Sequence, residues 1–178
     1  MLFRSVSTVY GTTAPTGAVS FSGLISGDAV SASASLVNPL LSGSGNLRVG
    51  SYQQSVASLS GADAANYSFS GFSTTTPNYS ITPLTLSVSS IAPVSTVYGT
   101  TAPTGAVSFS GLISGDAVSG VADIVSPLLS GSGNLRAGSY QQSLSSISGT
   151  DAANYSFSSF STSTPNYSIT PLTLSVSS

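Results

Sequence analysis

Five aspartates are the only carboxylate side chains in this sequence: Asp28, Asp63, Asp116, Asp123 and Asp151. A pair such as Asp28 and Asp63 could do glycosidase chemistry, in which two carboxylates flank the scissile bond. Each of these two lies in a glycine-flanked turn, where aspartate commonly bonds nearby backbone. The chain has no His, Cys, Lys or Glu, and so no imidazole, thiolate or Schiff-base amine. We expect no enzymatic activity, no catalytic residue and no cofactor.

A calcium site would need several oxygen ligands close together. The sequence contains no Asp-x-Asp cluster, and residues 86–98, which join the two halves of the chain, contain no acid. A site that combines Asp28 or Asp63 with backbone oxygens stays open as an alternative. The structural turn is the default interpretation, and we assign no metal ligand.

Each half also carries four tyrosines and one arginine at a matched position that could recognise a ligand. Arg48 and its counterpart Arg136 are expected to pair with an aspartate of the same half. The tyrosines of the first half alternate with apolar positions, which favours core packing with a paired hydroxyl over a platform for sugars. They are Tyr10, Tyr52, Tyr67 and Tyr79.

Four Asn-Tyr-Ser sequons begin at Asn66, Asn78, Asn154 and Asn166. The Asn-Tyr pair is part of a repeated pattern, so a role in a turn or at a strand start explains it without glycosylation. Whether these sites carry sugar stays open at this point.

The chain is one unit written twice. Val6 to Ser90 reappears as Val94 to Ser178 without a gap, and 73 of the 85 aligned positions are identical. A period of 88 residues suits a small globular domain rather than one coil of a solenoid. We therefore predict two domains, residues 1–90 and 91–178.

The composition excludes several partners. Only 4% of the residues are charged, the net charge is -2, and Ser and Thr together supply 61 residues. Three scattered arginines cannot neutralise a row of phosphates or an anionic bilayer, so we expect neither nucleic acid nor membrane surface as partner. No apolar run approaches the ~20 residues of a membrane span. A cysteine-free, hydroxyl-rich β module is typical of the bacterial cell surface, so we expect an extracellular location.

Period-two alternation and turn residues predict β structure throughout. We expect an all-β fold of two elongated, sandwich-like domains in line. The alternative is a pair of β-grasp-like α+β modules with one short helix, because the first and last strands could pair in parallel. The predicted elements of the first half are strands at residues 7–10, 18–24, 30–36, 51–59, 67–72 and 79–88, and a tight turn or single helical turn at 60–67 with Asp63 as its N-cap.

The segment between the halves, Ser89 to Pro93, contains proline and no glycine-rich linker, which predicts a stiff connection. Hydroxyl-rich, charge-poor strands such as Thr74–Thr76 also create a risk of self-association along strand edges. We otherwise expect a monomer.

Several motifs together resemble the MBG/YDG repeats of large secreted bacterial adhesins of the filamentous-haemagglutinin type. They are Val9-Tyr10-Gly11-Thr12-Thr13, Gly27-Asp28, the string from Leu59 to Tyr67, and Ile81-Thr82-Pro83, each with its counterpart in the second half. The resemblance implies a stalk or spacer whose partners are neighbouring repeats of the same chain. Such a stalk projects a distal binding region for cell adhesion or biofilm formation. The alternative is a weak, multivalent module for host, matrix or mucin glycans.

Overall fold

The computed structural model describes residues 2–176, which divide into two compact units, Met1–Leu84 and Thr85–Ser178. Short β-strands joined by loops make up both units. The described residues contain no α-helix and only two one-turn 3-10 segments, Ala64–Asn66 and Ala152–Asn154. The all-β prediction is therefore confirmed, and the α+β alternative lacks its helix.

The first unit contains eight short strands: β1 (Leu2–Phe3), β2 (Val6–Val9), β3 (Val19–Ser20), β4 (Ser35–Leu36), β5 (Gly50–Tyr52), β6 (Gln54–Val56), β7 (Phe72–Ser73) and β8 (Tyr79–Thr82). Strand β8 lies between β2 and β5, parallel to β2 and antiparallel to β5. Strand β6 lies antiparallel between β4 and β7. Strand β1 pairs with β3 alone.

The second unit repeats this arrangement with a more complete third sheet. Its strands are β9 (Leu84–Ile91), β10 (Val94–Val97), β11 (Val107–Ser110), β12 (Asp123–Ile124), β13 (Gly138–Tyr140), β14 (Gln142–Leu144), β15 (Tyr155–Phe157), β16 (Phe160–Ser161) and β17 (Tyr167–Thr170). The sheets are ordered β10-β17-β13, β12-β14-β16 and β11-β9-β15. The eight-residue strand β9 is thus the centre of a three-stranded sheet.

The parallel pairing of first and last strands follows from matched alternation. In β8, Tyr79 and Ile81 are buried while Thr82 is exposed, and these strands pair from Val6↔Tyr79 to Val9↔Thr82. Strand β2 ends where Gly11 takes φ 79°, a conformation that glycine adopts without strain. The sequence-based suggestion of parallel pairing is confirmed, although it occurs without the helix.

Apolar side chains of the second unit pack around β9. Val88 and Ile91 of this strand cluster with Ala122 and Leu144, and the aromatic rings of Phe109, Phe157 and Phe160 pack against them. Burial of each large apolar side chain contributes about 1.5–3 kcal/mol. The sheet around β9 is therefore a principal source of cohesion in this unit.

The structure corrects the predicted strand at residues 79–88. Pro83 interrupts it because proline has no N–H for the ladder. Strand β8 ends at Thr82 in the first unit, and β9 begins at Leu84 and pairs inside the second. The second unit consequently starts at Thr85 rather than at residue 91. The predicted junction, Ser89 to Pro93, lies within that unit.

Other predicted strands are shorter than expected. The strand predicted at 51–59 is interrupted at Gln53 and forms β5 and β6. Of the strand predicted at 18–24, only β3 forms. Thr74–Thr76, proposed as an aggregation-prone strand, forms a bend after β7. Period-two alternation alone does not say where a strand loses its partner.

Candidate functional site

The first unit gathers acidic side chains around the loop at Asp28. The hydroxyl of Tyr67 donates to Oδ2 of Asp28 at 2.5 Å and accepts from the N–H of Ile25 at 3.1 Å. Oδ2 of Asp63 accepts from the N–H of Ala29 at 2.8 Å. We call these five residues the turn cluster.

The second unit contains the same cluster at an offset of 88 residues. The hydroxyl of Tyr155 donates to Oδ2 of Asp116 at 2.6 Å and accepts from the N–H of Ile113 at 3.1 Å. Oδ2 of Asp151 accepts from the N–H of Ala117 at 2.9 Å. Asp151 is only 1% exposed, whereas Asp63 is half-buried, so the cluster is more enclosed in the second unit.

The structure corrects the predicted role of Asp63. It precedes the 3-10 turn Ala64–Asn66, but its side chain makes no capping bond there and instead holds the neighbouring loop at Ala29. The two loops approach closely because Gly61 faces Ala29. A Cβ at Gly61 would lie 2.1 Å from the Ala29 carbonyl oxygen, and its φ of +112° also disfavours other residues.

These bonds define the chemistry of the turn cluster. Each carboxylate accepts an N–H or O–H from the opposite segment, and such charge-assisted bonds are among the stronger ones in proteins. Among residues 2–176, no three His, Cys, Asp or Glu side chains lie close enough together to hold a metal ion. The arrangement ties the Asp28 loop to the 3-10 turn and its following segment.

Tyr67 of the turn cluster and Tyr98 of the second unit should ionise at different pH. The bond to the Asp28 carboxylate raises the pKa of Tyr67 above its usual 10.0, since ionisation would remove the shared proton. Hydrogen bonds from the hydroxyls of Ser130 and Ser132 lower the pKa of Tyr98. We expect Tyr98→Phe to remove an early step from the tyrosinate absorbance titration and Tyr67→Phe to remove a late one. The reverse order would contradict the geometry.

The sign of the stability effect follows from the same bond. The raised pKa of Tyr67 means that its contribution is complete below pH 10.0, the ordinary tyrosine value. The contribution is lost as pH rises through the raised pKa. Tyr67→Phe should therefore flatten the alkaline loss of stability in the first unit.

The remaining tyrosines of the first half are core residues, as predicted. Tyr10, Tyr52 and Tyr79 are buried. Their hydroxyls donate to Oγ of Ser42 at 2.6 Å, to the Arg48 carbonyl at 2.8 Å and to the Ala14 carbonyl at 2.8 Å, respectively. Because ring and hydroxyl are both used inside the unit, these tyrosines offer no flat face to a sugar.

The arginines close loops through backbone acceptors. Nε of Arg48 donates to the Leu41 carbonyl at 2.9 Å, and Nε of Arg136 donates to the Leu129 carbonyl at 2.9 Å. Each arginine thus holds a loop that begins after a proline and contains the Gly-Ser-Gly-Asn turn. The two arginine side chains therefore hold the backbone of nearby loops in place.

The side chains of the four sequon asparagines differ in their exposure to solvent. Oδ1 of Asn166 accepts from Gln142 and its Nδ2 donates to the Ile91 carbonyl at 2.9 Å, while Oδ1 of Asn78 accepts from Gln54. Asn154 is 3% exposed. Asn66 is the exposed member of the four. A glycan on Nδ2 of Asn166 would break a bond that holds the end of β9.

Sequence reasoning missed the buried glutamines. Gln54 and Gln142 are fully buried, and Oε1 of each accepts from a glycine N–H, Gly17 or Gly105, at 2.6 Å. In the second unit, Nε2 of Gln142 also donates to the Ala92 carbonyl at 3.1 Å. Period-two alternation could have predicted their burial, since each glutamine lies two residues after a buried tyrosine and two residues before a buried aliphatic residue. Its polarity argued against the core.

No protein-family model matches the chain, and neither a curated protein nor a solved structure matches it. The resemblance to the MBG/YDG repeats therefore stays a prediction from the motifs. In residues 2–176, no helix has the length and apolar character to cross a bilayer.

Proposed function

We propose that the chain is a spacer segment of a large extracellular bacterial adhesin, in which tandem sandwich-like units stand in line and carry a distal binding region away from the cell. Adhesion to surfaces or biofilm formation would be the role of the whole protein. The segment itself supplies length and stiffness.

The observation that carries this proposal is the position of β9. Only Pro83 separates β8, a strand of the first unit, from β9, which pairs inside the second. A single proline between two paired strands leaves little freedom for a flexible tether. The end of the first copy of the repeat thus supplies the central strand of the second unit, which suits a role in extension.

The polar side chains support the same role. The turn cluster, the buried glutamines and the arginines are bonded to loops of their own unit. Of the four tyrosines of the first half that could serve a glycan-binding module, Tyr10, Tyr52 and Tyr79 are buried. The fourth, Tyr67, is half-buried and its hydroxyl is bonded to Asp28. We therefore favour the spacer over the glycan-binding alternative.

Small-angle scattering of the dilute monomer tests the proposal. A single compact globule of this length would have a radius of gyration of about 16 Å. Two compact units in line, each with a radius of gyration of about 12 Å, would together give about 20 Å or more. As a control, a flexible glycine-serine insertion beside Pro83 should broaden the distance distribution and let the units tumble separately in NMR relaxation. A value near that of the globule, or separate tumbling of the unmodified chain, would overturn the spacer role.

A further inference from the structure

The two copies of the repeat differ at a position that is buried in both of them. All of the aligned positions that differ lie within the described residues, and among them only Val56 and its counterpart Leu144 are buried in both units, at 2% and 1% exposed. A closely packed core accommodates an additional methylene only if the surrounding side chains change with it. The residues that contact Leu144 should therefore differ from those around Val56.

Gly120 is the contact residue that differs. A Cβ at Gly120 would lie 2.8 Å from both Cδ1 and Cδ2 of Leu144 and 3.3 Å from Cζ of Phe109. The φ angle of Gly120 is outside the left-handed region, so its backbone conformation would accept alanine. The first unit has an alanine at this position, Ala32. The volume of Leu144, and not the backbone, therefore explains the glycine.

The two differences compensate each other in volume. Alanine with valine contains the same number of side-chain carbons as glycine with leucine. The segments that carry these residues pair in the same register in both units, since Ser31 bridges Ser60 and Ser119 bridges Ser148. The adjoining strand pairs, β4 with β6 and β12 with β14, also match. Each unit thus brings one smaller and one larger side chain together at equivalent places, and the sum is conserved.

The rest of the two copies is largely interchangeable. Of the 85 aligned positions 73 are identical, so residues 31–36 could pair with residues 142–148 in the native register. Residues 54–124 would then form an inner unit from the end of the first copy and the beginning of the second. Exchange of equivalent segments is a characteristic misassembly of repeat proteins. Backbone hydrogen bonds alone would not oppose it, because their register is the same.

We propose that the compensating pair prevents the two copies from exchanging these segments as the chain folds. In the exchanged molecule Ala32 would face Leu144, and its methyl group would overlap both δ methyls. Gly120 would face Val56, and the missing carbon would leave a void. Each mixed pair is less favourable than either native pair, so the exchanged molecule is penalised twice. This inference goes beyond the spacer role and does not depend on it.

A double-mutant cycle in the second unit tests the compensation. Gly120→Ala, through overpacking, and Leu144→Val, through a void, should each raise the equilibrium constant for unfolding this unit at least about fivefold. The double variant reproduces the residues of the first unit and should lie within about twofold of the unmodified protein. Denaturant unfolding followed by NMR signals of the second unit measures these constants. Additive effects of the two substitutions would overturn the proposal.

Ser163→Thr is the matched control for the cycle. It also makes the second copy more like the first, which has Thr75 at this position, but both residues are exposed. Combined with Gly120→Ala, it should not restore the stability of the second unit. Restoration by this exposed substitution would show that the effect does not arise from the contact with Leu144.

Segment exchange can be detected with introduced cysteines, because the chain has none of its own. The Oγ atoms of Ser31 and Ser60 lie 2.9 Å apart, and those of Ser119 and Ser148 lie 3.1 Å apart. Ser31→Cys with Ser60→Cys should therefore form a disulfide in the native molecule and supplies the reference. Ser31→Cys with Ser148→Cys should form a disulfide within one chain only after exchange.

Refolding of the dilute protein, followed by oxidation and non-reducing electrophoresis of the monomer, measures the exchanged fraction. In the variant with Ser31→Cys and Ser148→Cys, adding Gly120→Ala and Leu144→Val makes all four possible pairs alike. The cross-linked fraction of the monomer should then rise at least about fivefold, whereas adding Ser163→Thr should leave it unchanged. An equal cross-linked fraction with and without the two core substitutions would overturn the proposal. The spacer role is judged by the shape of the native monomer, so either can fail alone.

Discussion

Replacing Val88 by aspartate should unfold the second unit while the first stays folded. Val88 lies at the centre of β9, is 9% exposed and packs in a cluster with Ile91, Ala122 and Leu144. A carboxylate there would be buried among apolar side chains without a partner, at a cost of at least about 3 kcal/mol. The expected result is a loss of the amide NMR signals typical of folded structure from residues 94–170 only.

Val176→Asp is the matched control for this experiment. It makes the same substitution in the same local sequence, but Val176 is fully exposed. Its effect on unfolding of the monomer should stay within about 0.5 kcal/mol. If Val88→Asp unfolded the first unit instead, or if both variants behaved alike, β9 would not belong to the second unit.

Replacing Gly105 by alanine should have a comparable effect for a different reason. A Cβ at this position would lie 1.8 Å from the carbonyl oxygen of Ala92, and the obstacle is backbone that cannot rotate away. The N–H of Gly105 is also held by Oε1 of Gln142 at 2.6 Å, which fixes its position. The forced shift should cost at least about 3 kcal/mol and lower the melting temperature of the second unit by more than about 10 °C.

Gly131→Ala is the control for the glycine experiment. No heavy atom lies within 4 Å of a Cβ built there, and its backbone is not in the left-handed region. The substitution should be neutral or stabilising by less than about 1 kcal/mol. Thermal unfolding of both variants, followed by unit-specific NMR signals, checks the pair. A Gly105→Ala protein as stable as Gly131→Ala would show that the segments at Gly105 and Ala92 are not in close contact.

The sequence predicted a good part of this structure because much of it is encoded locally. Alternation gave the β class and placed Tyr52 and Val56 in the core, and glycine and aspartate marked the loop at Asp28. Internal comparison of the two halves separated apolar from exposed positions. These features depend on residues close together in the chain.

The features that sequence reasoning missed depend on distant partners. Pro83 indicates that the predicted strand is interrupted there. Whether residues 84–91 pair in the first or in the second unit depends on β11 and β15, which lie further along the chain. The side chain of Asp63 bonds a loop 34 residues away instead of its own turn. Gln142 is buried because three polar groups from separate segments converge on it. The local pattern of apolar and polar residues cannot show which distant partner a strand or side chain takes, because the pattern is the same for each possible partner.

Strand β9 belongs to the second unit although most of its sequence belongs to the first copy of the repeat. Residue-resolved amide hydrogen exchange on the dilute protein tests this assignment most directly. Residues 107–110 and 155–157 flank β9, whereas their identical counterparts 19–22 and 67–69 lack the equivalent strand beyond β1. We predict exchange at least about tenfold slower in the second-unit segments. Equal rates in the paired segments would mean that β9 does not complete the second unit.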